Sequence, residues 1–314
     1  RVRLRGSMTT TCRSAFRAAA MSAMALSLAG CSIKMMAINS LCDALASGST
    51  STFARDDDAE LVRDAVPFAL KTIESLIEQS PKHQGLLTAA TSGFTQYGFA
   101  FIQQEADFVE AQDLDRATRM RARAKKLYLR AVDYGVRGLE LDLPGFRERL
   151  ATDPDAAMAR ATRKHIPLLY WTGAAWAAAF ALDVNDAELS IRQTAIEKMM
   201  RRALSLDETW DNGSLHDFFI SWEAGHASTG GSMAKARDHF AQAVRLSGGA
   251  RLSPYVSLAE SVSINENNSK EFEAVLTQAL AIDISKAPDQ KLANVISQRR
   301  ARWLLDRIDD LFVN

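Results

Sequence analysis

Ala236-Arg237-Asp238-His239-Phe240-Ala241-Gln242-Ala243 sets an aromatic residue between two alanines at positions i, i+4 and i+7. At 3.6 residues per turn the three share one helix face, where the alanines let a neighbouring backbone come close and the phenyl ring fills the groove between. Weaker copies keep the spacing: Ala124, Tyr128 and Ala131; Ile196, Met200 and Ala203; Phe272, Leu276 and Ala279. The closing alanines 131, 203, 243 and 279 lie 72, 40 and 36 residues apart. Recurrence at such intervals points to helix pairs that stack on one another.

A partner helix carries its own pattern in Leu169-x2-Thr172-Gly173-x2-Trp176, with a small and an aromatic residue at matching places. Together these stretches resemble degenerate tetratricopeptide repeats, whose regular period is about 34 residues. From Asp56 onward the chain is rich in alanine and leucine at helical periodicity, with no alternating strand pattern. The expected class is therefore all-α, a tetratricopeptide-like helical-hairpin solenoid with degenerate repeats; the plainer alternative is a generic alanine-rich helical domain. Helices are expected over 59–79, 84–105, 114–138, 144–150, 155–182, 187–206, 213–226, 232–247, 252–264, 268–282 and 288–312. Asp56-Asp57-Asp58 offers capping carboxylates to the first of them. Pro67 should kink that helix unless it starts near Asp64.

The N-terminal region reads differently. Arg13 and Arg17 precede an apolar run from Ala18 to Ala29, too short to span a bilayer, which closes in Leu28-Ala29-Gly30-Cys31. This is the pattern of a lipobox, with the Cys31 thiol as the atom that takes the lipid; an ordinary secretory signal or a buried helix are the alternatives. Residues 1–30 then form a signal peptide, of which 1–7, ahead of Met8, are an upstream remnant. Residues 31–55 form a lipidated helix and polar linker, and 56–314 the helical domain. Ser32 after the cysteine favours the periplasmic face of the outer membrane over inner-membrane anchoring.

The whole chain balances 38 basic against 38 acidic residues. Without residues 1–30, which hold five arginines and no acids, it is mildly acidic, which argues against nucleic-acid binding. Of three cysteines, Cys12 leaves with the signal and Cys31 takes the lipid, so Cys42 has no partner for an intramolecular disulfide.

No catalytic, metal or cofactor constellation is found. His83, His165, His216, His226 and His239 have no metal-ligand spacing, and neither a phosphate-cradling glycine loop nor a nucleophile elbow is present. Aromatic clusters remain: Tyr170, Trp171 and Trp176, and Phe218, Phe219 and Trp222 beside His216. Each is read either as core or as lining of a ligand cavity or groove. His216 falls in the first turn of its helix, three residues before Phe219, where a buried hydrogen-bonded histidine is the simpler account. Arg299 and Arg300 with Trp303 offer a basic, aromatic docking surface; the alternative is a solvated face paired at i, i+4.

Several stretches in order resemble the T component of tripartite ATP-independent periplasmic (TRAP) transporters, the TatT lipoprotein family. They are Asp56-Asp57-Asp58-Ala59-Glu60-Leu61-Val62 through Pro67-Phe68-Ala69-Leu70-Lys71, Leu168-Leu169-Tyr170-Trp171-Thr172-Gly173-Ala174-Ala175-Trp176, and Leu215-His216-Asp217-Phe218-Phe219. Ala236-Arg237-Asp238-His239-Phe240 with Leu246-Ser247-Gly248-Gly249, and Gln298-Arg299-Arg300-Ala301-Arg302-Trp303-Leu304-Leu305, complete the set. The resemblance covers nearly the whole mature chain. It implies a lipid-anchored, non-enzymatic protein that self-associates as a trimer and binds the periplasmic substrate-binding subunit. It further implies a cavity for apolar or organic-acid ligands in each protomer. A tetratricopeptide lipoprotein scaffold for envelope assembly is the rival reading.

Overall fold

The computed structural model describes residues 52–312, and these are helical with no strand among them. The signal peptide, the lipobox with Cys31 and the segment holding Cys42 lie outside the described residues. Helix α1 (Ala59–Gln79) opens as its carboxylates predict, with Asp58 accepting from Glu60 N at 3.1 Å and Leu61 N at 2.9 Å. It begins well before Asp64, so Pro67 falls inside it, and the helix continues across the proline to Gln79.

Helix α2 (Gln84–Gly98) runs directly into a π-helical turn (Phe99–Gln103) and then α3 (Gln104–Val109). The uniform helix expected over 84–105 thus carries an inserted residue. Helix α4 (Leu114–Asp142), capped by Asp113, packs along α2. It passes Gly138, where the sequence reading ended it, because the glycines on α4 are contact points and not terminators. A Cβ on Gly138 would stand 2.9 Å from Leu168 Cδ1, and one on Gly135 only 2.0 Å from Thr172 Oγ1. Real chain reversal comes at Pro144-Gly145, where Gly145 takes a φ of 77°.

The helix expected over 155–182 is divided. Asp153 caps a short α6 (Pro154–Met158), which follows α5 (Phe146–Thr152). A Thr162–His165 capping box with Pro167 in the first turn then starts α7 (Ile166–Leu182). The stretch 187–206 likewise splits into α8 (Ala187–Ser190) and α9 (Gln193–Leu206). Helices α2, α4, α7 and α9 pack in sequence around one large core that includes Leu86, Leu87, Tyr128, Leu139, Leu169 and Met199. Burying each such side chain contributes roughly 1.5–3 kcal/mol.

The C-terminal half continues with α10 (Ser214–Gly225), α11 (Met233–Leu246), and α12 (Ser253–Leu258) with a second π-helical turn at Ala259–Ser263. Helices α13 (Ser269–Leu280), α14 (Lys291–Leu305) and α15 (Ile308–Leu311) complete it. Smaller cores separate successive helices here, one around Phe272, Leu276 and Leu304, another around Ile220, Ala236 and Val262. The small–aromatic–small stripe behaves as its spacing predicts. Ala124, Tyr128, Ala131, Ile196, Met200, Ala203, Ala236, Ala243, Phe272, Leu276 and Ala279 are all buried, and Phe240 wedges edge-on against Tyr255.

Helix α14 then returns to the first of the described residues. Its Leu292 and Ile296 pack against the large core, Lys291 pairs with Asp57, and just ahead of it Asp289 pairs with Arg55 at 2.6 Å.

Candidate functional site

The aromatic residues singled out in the sequence gather on α7, α10 and the turn between α9 and α10. Tyr170 and Trp171 meet edge to face at 4.9 Å, and Trp210 packs on Tyr170 at 4.8 Å. Trp210 opens a turn in which Asp211 (φ 45°), Asn212 (φ 53°) and Gly213 (φ 90°) are successively left-handed. Two such residues with side chains cost about 1–2 kcal/mol each. Arg251 offsets this by donating to Asp211 O at 2.7 Å, and Ser214 Oγ donates to the same oxygen at 3.0 Å. The arginine is in turn held near Asp217, which accepts from Ser253 Oγ at 2.5 Å and Ser257 Oγ at 2.9 Å. Burial raises the Tyr170 phenol, so it stays protonated, a neutral polar tip on an aromatic wall.

Along α10 the rings form a continuous stack. Phe218 lies on Trp222 at 5.5 Å, Trp222 on His226 at 4.0 Å, and Phe218 meets Phe219 edge-on at 5.3 Å. Phe219 then stacks on His239 at 5.0 Å. Their exposures differ. Phe219, Trp222 and His216 are buried, whereas Tyr170, Trp171, Trp176 and Phe218 keep part of their surface accessible. Trp176 packs against the large core with the Arg192 guanidinium over its ring at 5.8 Å.

His216 has a partner that sequence reading did not assign. Its Nδ1 lies 2.8 Å from His239 Nδ1, so one nitrogen donates and the other accepts. His216 Nε2 is buried without a hydrogen bond, 3.7 Å from Glu208 Oε2. Burial lowers both imidazoles, and His239, which also faces His216, drops to about 4. The pairing follows from the hairpin of α10 and α11. His239 was visible inside the repeat stripe, but only the register of that hairpin brings it opposite His216.

Arg299, Arg300 and Trp303 do cluster, on α14, and the structure engages them within the chain. Arg300 reaches Asp107 Oδ2 at 2.9 Å and Glu260 Oε1 at 2.5 Å, with only 14% of its side chain accessible. Arg299 pairs with Glu105 and covers the Phe108 ring at 4.6 Å. Trp303 packs edge-on against Phe108 at 5.2 Å, with Arg300 and Arg307 at 4.4 and 4.7 Å from its ring centre. Asp107 also takes Arg121 at 2.7 Å, which is itself paired with Glu110. Glu260 sits on the second π-helical turn, and burial raises its carboxyl against the pull of Arg300, although 31% of the side chain stays accessible. That combination describes a deep-set acid that still meets solvent.

A family model described as TRAP transporter T-component matches residues 55–312. A protein of Treponema pallidum (strain Nichols), described as an uncharacterized protein, is 33% identical over 310 residues, which covers 93% of this chain and 96% of its own length.

Proposed function

The chain belongs to the TRAP transporter T-component family, and from that premise we propose that it serves as a membrane-tethered docking partner of the substrate-binding subunit. The observation that carries this reading is that the family match spans the whole described helical body, residues 55–312, and not one repeat within it. Cys31 fixes the protein by lipid at the periplasmic face of the outer membrane. Residues 31–55 act as tether and linker, and 56–314 as the docking domain, which self-associates as a trimer. Two or more acyl chains, at roughly 0.8 kcal/mol per buried methylene, make such attachment effectively permanent.

The ligand taken from the binding subunit is an apolar or organic acid, and it passes along the accessible aromatic wall of Tyr170, Trp171 and Phe218. Supporting this are the half-buried rings packed edge-on and tilted against one another there and the neutral Tyr170 phenol beside Arg251. Nothing in this role needs a covalent step. Trp303 and its flanking arginines hold α14 in place, and the outer edge of Arg299 remains for contact with an acidic partner.

Co-purification tests the reading. The delipidated domain, mixed with a TRAP substrate-binding subunit from the same organism, should form a complex carrying a small molecule detectable by mass spectrometry. Absence of a complex at micromolar concentrations of both proteins would overturn it.

A further inference from the structure

Helix α1 carries an exposed apolar stripe. Leu61, Ala65 and Phe68 fall at i, i+4 and i+7, on one helix face, and Leu61 and Phe68 are 59% and 81% exposed. Helix α2 brings a further exposed ring to the same height. A Cβ on Gly93 would stand 2.7 Å from Leu70 Cδ2. In this antiparallel pair Phe99, six residues further along and 49% exposed, is therefore level with Asp64, between Leu61 and Phe68.

The chain enters the described residues beside this stripe. Phe53 packs on the large core, Arg55 pairs with Asp289 and Asp57 with Lys291, which fixes residues 53–57 at the N-terminal end of α1. Just ahead of them runs Ser47-Gly48-Ser49-Thr50-Ser51-Thr52, and ahead of that Ile33, Ala37, Leu41, Ala44 and Leu45, spaced to share one helix face. A linker over residues 46–52 has a root-mean-square reach of about 15 Å. Phe68 lies about 14 Å along α1 from its first residue, so the stripe is within that reach.

We propose that residues 33–45 fold back on α1 as a helix and seat Leu41 and its neighbours on Leu61 and Phe68. Charge favours this occupant over a lipid surface. Residues 32–51 carry one cation, Lys34, and one acid, Asp43, and so lack the basic face that holds a helix on a bilayer. The stripe itself is bordered by Asp58, Glu60 and Asp64, while the nearby cations Arg63 and Lys71 are tied to Asp64 and Glu74, so anionic headgroups would be repelled. A second copy would have to compete from bulk solution with a tethered segment whose effective concentration is in the millimolar range. Seated in this way, the segment leaves only Cys31 and Ser32 as free tether, and the domain is held close to the membrane with α1 turned toward it. The seating rests on the proposed function only in keeping residues 31–51 attached; docking of the substrate-binding subunit belongs to residues 56–314 and stands or falls separately.

Disulfide trapping in the chain from residue 31 tests the seating. With Cys31→Ser and Cys42→Ser no native cysteine remains there, and Ala44→Cys and Ala65→Cys place one thiol on each stripe. Under mild oxidation this pair should close within one chain at least about tenfold faster than Ala44→Cys with Glu273→Cys, an exposed position on α13. Phe68→Asp, at a position exposed enough to leave folding intact, and Leu41→Asp, ahead of the described residues, should each bring the rate down to that control. In the chain carrying only Cys31→Ser, backbone amides of residues 33–45 should be protected from hydrogen exchange in the absence of lipid, and Phe68→Asp should abolish the protection. Trapping no faster than the control, trapping indifferent to Phe68→Asp, disulfides formed mainly between chains, or protection that appears only with anionic vesicles would each overturn the proposal.

Discussion

Acid should loosen the α10–α11 hairpin, and His239 is the reason. Its imidazole is lowered from the ordinary 6.5 to about 4, by burial first and then by His216 at 2.8 Å. The folded state therefore resists a proton that the unfolded chain accepts. Stability from this group is complete above pH 6.5 and is lost as pH falls from there toward 4. At 1.36 kcal/mol per pKa unit, the loss is bounded by about 3.4 kcal/mol below the folded value and reaches about 2 kcal/mol near pH 5. The groups facing the pair do not cancel it. Glu223 and Asp238 favour the charged His239 ring, while Arg201 opposes it; Glu208 favours and Arg245 opposes a charged His216. The comparison to make is the parent against His239→Phe, which keeps a ring for Phe219 to stack on but cannot titrate. Urea unfolding followed by tryptophan fluorescence at near-neutral pH and near pH 5 gives the free energies. His239→Phe should cost about 1 kcal/mol at neutral pH for the lost hydrogen bond, yet lose about 2 kcal/mol less than the parent on acidification. Equal acid losses in the two proteins would refute the reasoning, since every other titrating group is common to both.

Three further outcomes are expected. Gly135→Ala, whose new Cβ would stand 2.0 Å from Thr172 Oγ1 and 3.0 Å from Thr91 Cγ2, should destabilise by about 2–3 kcal/mol, with partial rescue by Thr172→Ala; a thermal midpoint equal to the parent's would contradict the close α4–α7 contact. Arg300→Gln removes the cation from Glu260 and one of the two that Asp107 holds, leaving Arg121, and should cost on the order of 2 kcal/mol in denaturant unfolding, more than Arg299→Gln at its exposed pair. Tyr128→Phe removes the hydroxyl that donates to Gln103 Oε1 at 2.6 Å beside the first π-helical turn, and should cost about 1 kcal/mol by the same measurement.

Much of the helical body could be read from the sequence because its strongest signals are local. The alanine–aromatic–alanine stripe depends only on helical periodicity, and Ala124, Tyr128, Ala131 and their counterparts are buried as that periodicity requires. Where tertiary packing overrides local preference, reading failed. Gly138 looked like a helix end and is a point of close approach to Leu168. The π-helical turns at Phe99 and Ala259 have no local signature, since each is an extra residue fitted between neighbours. Pro167 was a start signal for α7 that the alanine-rich surroundings masked. The site residues divide in the same way. Phe218 stacks on Trp222 because i and i+4 share a face. His216 with His239, Arg251 with Asp211, and Arg300 with Asp107 come from chain distances that no periodicity encodes.

Arg300 meets Asp107 across 193 residues of chain. The entropy of closing so long a loop grows only logarithmically, about 0.6 kcal/mol per doubling, but the search is slow compared with forming neighbouring hairpins. A polypeptide emerging N-terminus first can complete α1 to α4 while α14 is still unmade. Glu105, Asp107 and Phe108 then wait as a raw edge, acidic and aromatic together, until the last long helix arrives to cover them. A stop codon ahead of Lys291 would leave that edge permanently bare, and quality-control proteases, not any loss of ligand contacts, would decide the fate of the shortened product.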